Sequence, residues 1–97
     1  MAKYRAIQMK AIDNVATVVE DIAAGTQVSF AMEDKTPSLL VIENIPFGHK
    51  FATREIAKGE VVMKYGESIG AALTDIKAGQ HVHVHNIESC RGRGDKD

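Results

Sequence analysis

Apolar and polar positions alternate along this chain in short runs separated by turn-forming residues. Seven stretches read as strands: 4–9, 15–19, 26–31, 38–42, 49–53, 60–64 and 81–86. The second follows the Asp13-Asn14 turn signal, the third leads into the polar loop 33–37, and the fourth ends near Pro46. Long amphipathic helix patterns are absent, and residues 69–73 are too short for more than a turn or two. The pattern predicts a compact all-β domain rich in turns.

Those turns share a motif. Ile22–Gly25–Val28, Ile56–Gly59–Val62 and Ile76–Gly79–Val82 each follow an acidic residue (Asp21, Glu55, Asp75), and Ile45–Gly48–Phe51 is a looser fourth copy. The expected unit is one short helical turn capped by the acid, with the isoleucine inward. Glycine then supplies the left-handed backbone that ends it, and a strand follows. The glycines fall at 25, 48, 59 and 79, too irregular a period for a solenoid. The motif is architectural.

Size and charge narrow the possible roles. At 97 residues the chain is one domain that buries only about 60–65% of its unfolded surface. With 44% apolar residues, 26% charged residues and a formal charge of −1, it offers no electrostatic footprint for nucleic acid or an anionic membrane. No apolar run has the length of a signal peptide or a membrane span. Cys90 is the sole cysteine, so an intrachain disulfide and a Cys-based zinc site are excluded. The expectation is a cytoplasmic protein. Cys90 lacks a Cys-x-x-Cys partner, and Arg93-Gly94-Asp95 is a tripeptide that recurs by chance.

Histidine carries the most information. Three of the four histidines sit in H-V-H-V-H-N as His81, His83 and His85. On a strand, residues i, i+2 and i+4 share a face, with Val82 and Val84 turned to the core. Neighbouring imidazoles there are about 6.6 Å apart at Cα and the outer pair about 13 Å, so His81 and His83 suit one ion and all three do not. Three uses stay open: a metal site, contact with substrate, proton or partner, and plain solvation. His49-Lys50, just after Gly48, could hold a carboxylate or simply face water. Lys64-Tyr65-Gly66 reads as a tight turn with Tyr65 half buried, or as a substrate contact.

Taken in order, Asp13-Asn14-Val15, G-H-K-F-A at 48–52, K-Y-G-x-x-I-G at 64–70, the D-I-x-x-G turn and H-V-H-V-H-N resemble one family. The chain is identified as a member of the altronate/galactarate dehydratase (altronate hydrolase) family, resembling its N-terminal SAF domain over roughly residues 4–93, with the domain itself placed at 4–90. Residues 91–97 read as a flexible tail. The resemblance implies a β-clip fold and a stand-alone small subunit, inactive without a large dehydratase subunit. It also implies elimination of water from a sugar acid, with Fe²⁺ or Mn²⁺ held mainly by the partner. A similar small subunit serves sulfolactate sulfo-lyase, and SAF domains occur in other proteins too, so fold alone does not fix function.

Elimination needs a cation, an acid and a base around an enclosed pocket, which a core this small can hardly supply alone. The expected roles follow. Lys50 holds the substrate carboxylate, with Lys64 and Tyr65 as further substrate contacts. His83 or His85 protonates the leaving hydroxyl, and His49 is the second choice. His81 and His83 orient a metal. Two rivals remain: a binding or regulatory module without catalytic groups, and a free-standing metal-binding protein. Exposed strand edges make a homo-oligomer plausible.

Overall fold

The computed structural model describes residues 5–89; Tyr4, Cys90 and the tail expected at 91–97 lie outside that range. The described residues form nine strands and no helix. These are β1 (Ala6–Gln8), β2 (Val15–Val18), β3 (Gln27–Met32), β4 (Ser38–Leu40), β5 (Lys50–Ala52), β6 (Val61–Lys64), β7 (Glu67–Ala72), β8 (His81–Val82) and β9 (Ile87–Ser89). Six pair in the order β4-β3-β1-β2-β5-β8, and β6-β7-β9 form a second sheet. Only β1–β3 is parallel; the other pairings are antiparallel. The curled sheets make the compact all-β architecture of a β-clip.

Alternation along the central strands divides the interior in two. Ala16, Val18 and Phe51 enter one cluster with Ala6, Ile22, Val28, Phe30, Val41 and Ile45. Val15, Ala52 and Val82 enter another with Ile56, Val62, Ala72 and Ile76. Phe51 is fully buried and meets Phe30 edge to face, with ring centroids 5.9 Å apart.

The recurrent motif is a β-turn rather than a helical one. The amide of Thr26 donates to the Ala23 carbonyl, and Glu60 to Ala57, Gln80 to Lys77 and His49 to Pro46 likewise. Glycine stands third in each turn with φ between 84° and 89°, as a type II turn requires. The acid does not cap its own turn. Ile22 bridges Ile45 and Ile56 bridges Ile76, so the turns work in pairs. Asp21 accepts from the Phe47 amide (2.7 Å) and Asn44 from Ala24 (2.8 Å); Asp75 accepts from Lys58 (2.9 Å). Gly79 ties the halves together. Its amide donates to Ala52, its carbonyl accepts from Ile42, and a Cβ built there would lie 2.2 Å from the Leu40 oxygen.

Three further expectations are corrected. The segment around Ile69 is the strand β7, and residues 87–89 form β9. Glu67–Ala72 escapes notice because Gly70, Ala71 and Ala72 have low strand propensity; cross-strand packing overrides it. The histidine strand ends after Val82, and Val84 is 76% exposed instead of facing the core. Among the described residues no helix is long and apolar enough to cross a membrane.

Candidate functional site

The histidine cluster is built by register and by one asparagine. In the β5–β8 ladder Lys50 stands opposite Val82 and Phe51 opposite His81. One step further along that register sets His49 opposite His83, and their rings stack at 4.1 Å between centroids. His81 lies on the same side, 5.1 Å from His49 and 5.7 Å from His83. Asn86, almost fully buried, turns the chain after Val82: its Oδ1 accepts from the His83 amide (2.9 Å), and its Nδ2 donates to the His81 carbonyl (2.8 Å). The turn brings the exposed His85 back to 5.2 Å from His81, so the extended-strand spacing assumed for that pair does not apply.

Three ligand atoms, one each from His49, His81 and His83, lie within 4.8 Å of one another. His49 Nδ1 and His81 Nε2 are 2.9 Å apart, sharing one hydrogen bond. Two nitrogens on one ion at bonds of about 2.1 Å and a right angle would also be about 3.0 Å apart. His83 Nδ1 is buried with no hydrogen-bond partner. Three imidazoles with an orphaned ring nitrogen suit a first-row divalent ion. The His81–His83 pair expected from spacing therefore gains His49, contributed by another strand, while His85 stays outside the three-donor set.

Electrostatics favour neutral rings. Burial holds His81 below the usual histidine range, helped by the charges of His85, His49 and His83. Burial also lowers His83, with His49, Lys50 and His85 adding to it. Neutral imidazole is the form that binds metal. The half-buried Lys50 is held below the usual lysine range by burial and then by the charge of Lys64.

Lys64 and Tyr65 sit on a rigid turn. The Lys64 ammonium lies 4.9 Å from the centroid of the Tyr65 ring. Tyr65 has φ 56° and is 48% exposed, about half buried as the turn reading implies. Asp13 fixes this turn. Buried to 3% exposure, its carboxylate accepts from the amides of Lys10 (3.0 Å), Tyr65 (2.9 Å) and Gly66 (2.8 Å). The fully buried Asn14 ties β2 to β6 through the Val61 carbonyl and the Met63 amide. In the sequence both read as a turn signal and part of a family motif, without these partners. Two clefts, of about 370 and 450 Å³, are lined by the paired turns around Ile56/Ile76 and Ile22/Ile45 and not by the histidines.

Residues 4–90 match the family model described as the altronate/galactarate dehydratase SAF domain. The chain belongs to this family. The SAF domain here is 50% identical to altronate dehydratase of Escherichia coli K12 over 83 residues, which are 86% of this chain but 16% of that enzyme. It is 36% identical to galactarate dehydratase (L-threo-forming) of the same organism over 78 residues, 14% of that enzyme. With (2R)-sulfolactate sulfo-lyase subunit alpha of Chromohalobacter salexigens the SAF domain shares 42% identity over 76 residues, which are 76% of this chain and 81% of that subunit. Relatives thus carry this domain either as a minor segment of a much longer dehydratase or as nearly the whole of a lyase subunit.

Proposed function

We propose that this SAF domain is the small component of a lyase that eliminates water from a sugar acid, and that a larger polypeptide completes its site. The carrying observation is the convergence of His49, His81 and His83 donor atoms within 4.8 Å; the half-buried Lys50 directly follows His49 in the chain. Elimination beside a carboxylate removes one proton, expels a β-substituent and stabilises the intervening negative charge. His49, His81 and His83 would hold a divalent cation such as Fe²⁺ or Mn²⁺, with the larger component adding ligands. Bound there, the cation supplies positive charge that polarises the acid group. Lys50 adds fixed positive charge for the substrate carboxylate. His85, outside the donor set and exposed, is the imidazole free to deliver a proton to the departing hydroxyl, and the half-exposed Tyr65 is a further substrate contact.

A second reading has its own support, because the match spans 81% of a sulfo-lyase subunit alpha of similar length. There the departing group would be sulfite, and the same residues would serve.

The test is co-expression of the full chain with a candidate large subunit, assayed on altronate, galactarate and sulfolactate. Activity should require both chains and name the acid. His83→Ala should lower kcat about 100-fold or more without loss of assembly, in line with removal of a group acting in the transition state. A variant with unchanged kcat and raised KM would show a binding module instead. Stoichiometric uptake of Mn²⁺ by the lone chain, unaltered by His49→Ala, would overturn the assigned donor set.

A further inference from the structure

We infer that Glu43 is a positioning residue of the histidine site: its carboxylate holds His81 beside His49 and sets a negative charge near the bound cation. This rests on the metal reading and adds a residue that no motif supplied.

The turn motif explains why Glu43 is spare. Asp21, Glu55 and Asp75 stand directly before the isoleucines of three copies, and Asn44 holds that place in the fourth. Asn44 takes the acid's part there, accepting from the Ala24 amide (2.8 Å). The paired turns around Ile22 and Ile45 are therefore complete without the acid one residue earlier. Glu43 reaches the other way, and its Oε1 accepts from the His81 amide at 3.0 Å.

Both ends of this bond are fixed. Val41 and Ile45 are fully buried on either side of the exposed Glu43, and the Ile42 amide donates to the Gly79 carbonyl (2.9 Å). At the far end, Asn86 Nδ2 donates to the His81 carbonyl (2.8 Å). His81 is thus held at its amide by one side chain and at its carbonyl by another. Six residues after Glu43 the chain reaches His49, whose Nδ1 lies 2.9 Å from His81 Nε2. One carboxylate straps together the two segments that bring these rings into contact.

Charge gives the strap a second use. Three neutral imidazoles leave the charge of a divalent ion uncompensated. Among the described residues the ion pairs are Arg5–Glu20 and Arg54–Glu60, so the Glu43 carboxylate is not neutralised by a basic side chain. Its oxygen touches the amide of the residue that carries the His81 ring, which puts the charge within about 8 Å of that ring. The separation is no more than about one Debye length at physiological salt, so attraction persists at an exposed position. Carboxylates placed behind metal-binding histidines fix the ligand and raise affinity; here the hold is on the backbone.

Calorimetric titration of the full chain with Mn²⁺, and absorption spectra with Co²⁺, test this. Glu43→Gln keeps an acceptor for the His81 amide and removes the charge, whereas Glu43→Ala removes both. Glu43→Gln should weaken ion binding about tenfold, the lower end of the range for residues behind a ligand, and reduce its salt dependence. Glu43→Ala should weaken it further and speed hydrogen exchange at the His81 amide, which Glu43→Gln leaves protected. Affinity in Glu43→Gln equal to the parent's overturns the charge role. An unchanged His81 amide in Glu43→Ala overturns the hold. Uptake that is lost in His83→Ala but unaltered in both Glu43 variants strikes Glu43 alone. A parent chain that takes up neither ion overturns the metal reading and this inference with it.

Discussion

Gly79→Ala puts the packing of the two halves to a quantitative test. The position has φ 85°, and an added Cβ would meet the Leu40 oxygen at 2.2 Å and Val41 Cα at 3.3 Å. Gly25 has the same backbone, with φ 89°, and open space around its Cβ. Both substitutions share a left-handed penalty of about 1–2 kcal/mol. At Gly79 the β4 backbone must also retreat by about 1 Å, an overpacking cost of about 1–3 kcal/mol. That movement strains the Gly79 amide bond to Ala52 (2.7 Å) and the Ile42 amide bond to Gly79 (2.9 Å), worth about 1 kcal/mol each. Gly79→Ala should therefore cost about 3 kcal/mol more than Gly25→Ala, a large share of the 5–15 kcal/mol typical of a domain. Urea unfolding followed by circular dichroism reads the difference. With a slope of about 1–3 kcal/mol/M the midpoints should separate by about 1–3 M. Coincident midpoints would show that the close approach does not constrain the fold.

Asp13→Asn should destabilise by about 3 kcal/mol, because the amide group that replaces one carboxylate oxygen faces the backbone N–H groups which that oxygen accepted. Hydrogen exchange at the amides of Tyr65 and Gly66 should rise at the same time, and unchanged protection there would refute the clamp. Acidification should weaken the fold in the window opened by His81 and His83. Their folded values lie below the ordinary histidine value of about 6.5, so the unfolded chain binds more protons as pH falls through it. Stability then declines as pH falls through about 6.5 and levels off only below the folded values. His81→Gln/His83→Gln should flatten this dependence relative to the parent chain, and parallel curves would exclude these rings as the cause.

Much of the fold was legible because strand alternation and glycine punctuation are local signals. Seven of the nine strands lie within or beside stretches marked by apolar alternation. β7 was hidden by its small residues, whose place in the sheet comes from β6 and β9. The turn type was misread because Asp21 and Asp75 resemble helix caps, yet they serve turns 26 and 17 residues away. For the site, histidine spacing pointed to residues that the structure does bring together, but with the wrong geometry. What brings His49 to His83 is the β5–β8 register, and what ends the strand is Asn86 acting from within the core.

The reciprocal turns also constrain how the domain is made. Each pair closes only when its distant mate has been synthesised: Asp21 waits for Phe47, and Lys58 waits for Asp75. A growing chain can therefore seal its first half well before its second, and vectorial synthesis favours that order. The Asp13 clamp on the Gly66 amide closes across 53 residues, so search through non-local pairings slows maturation. In relatives where this domain is a minor segment of a much longer polypeptide, it must complete that search with hundreds of further residues attached.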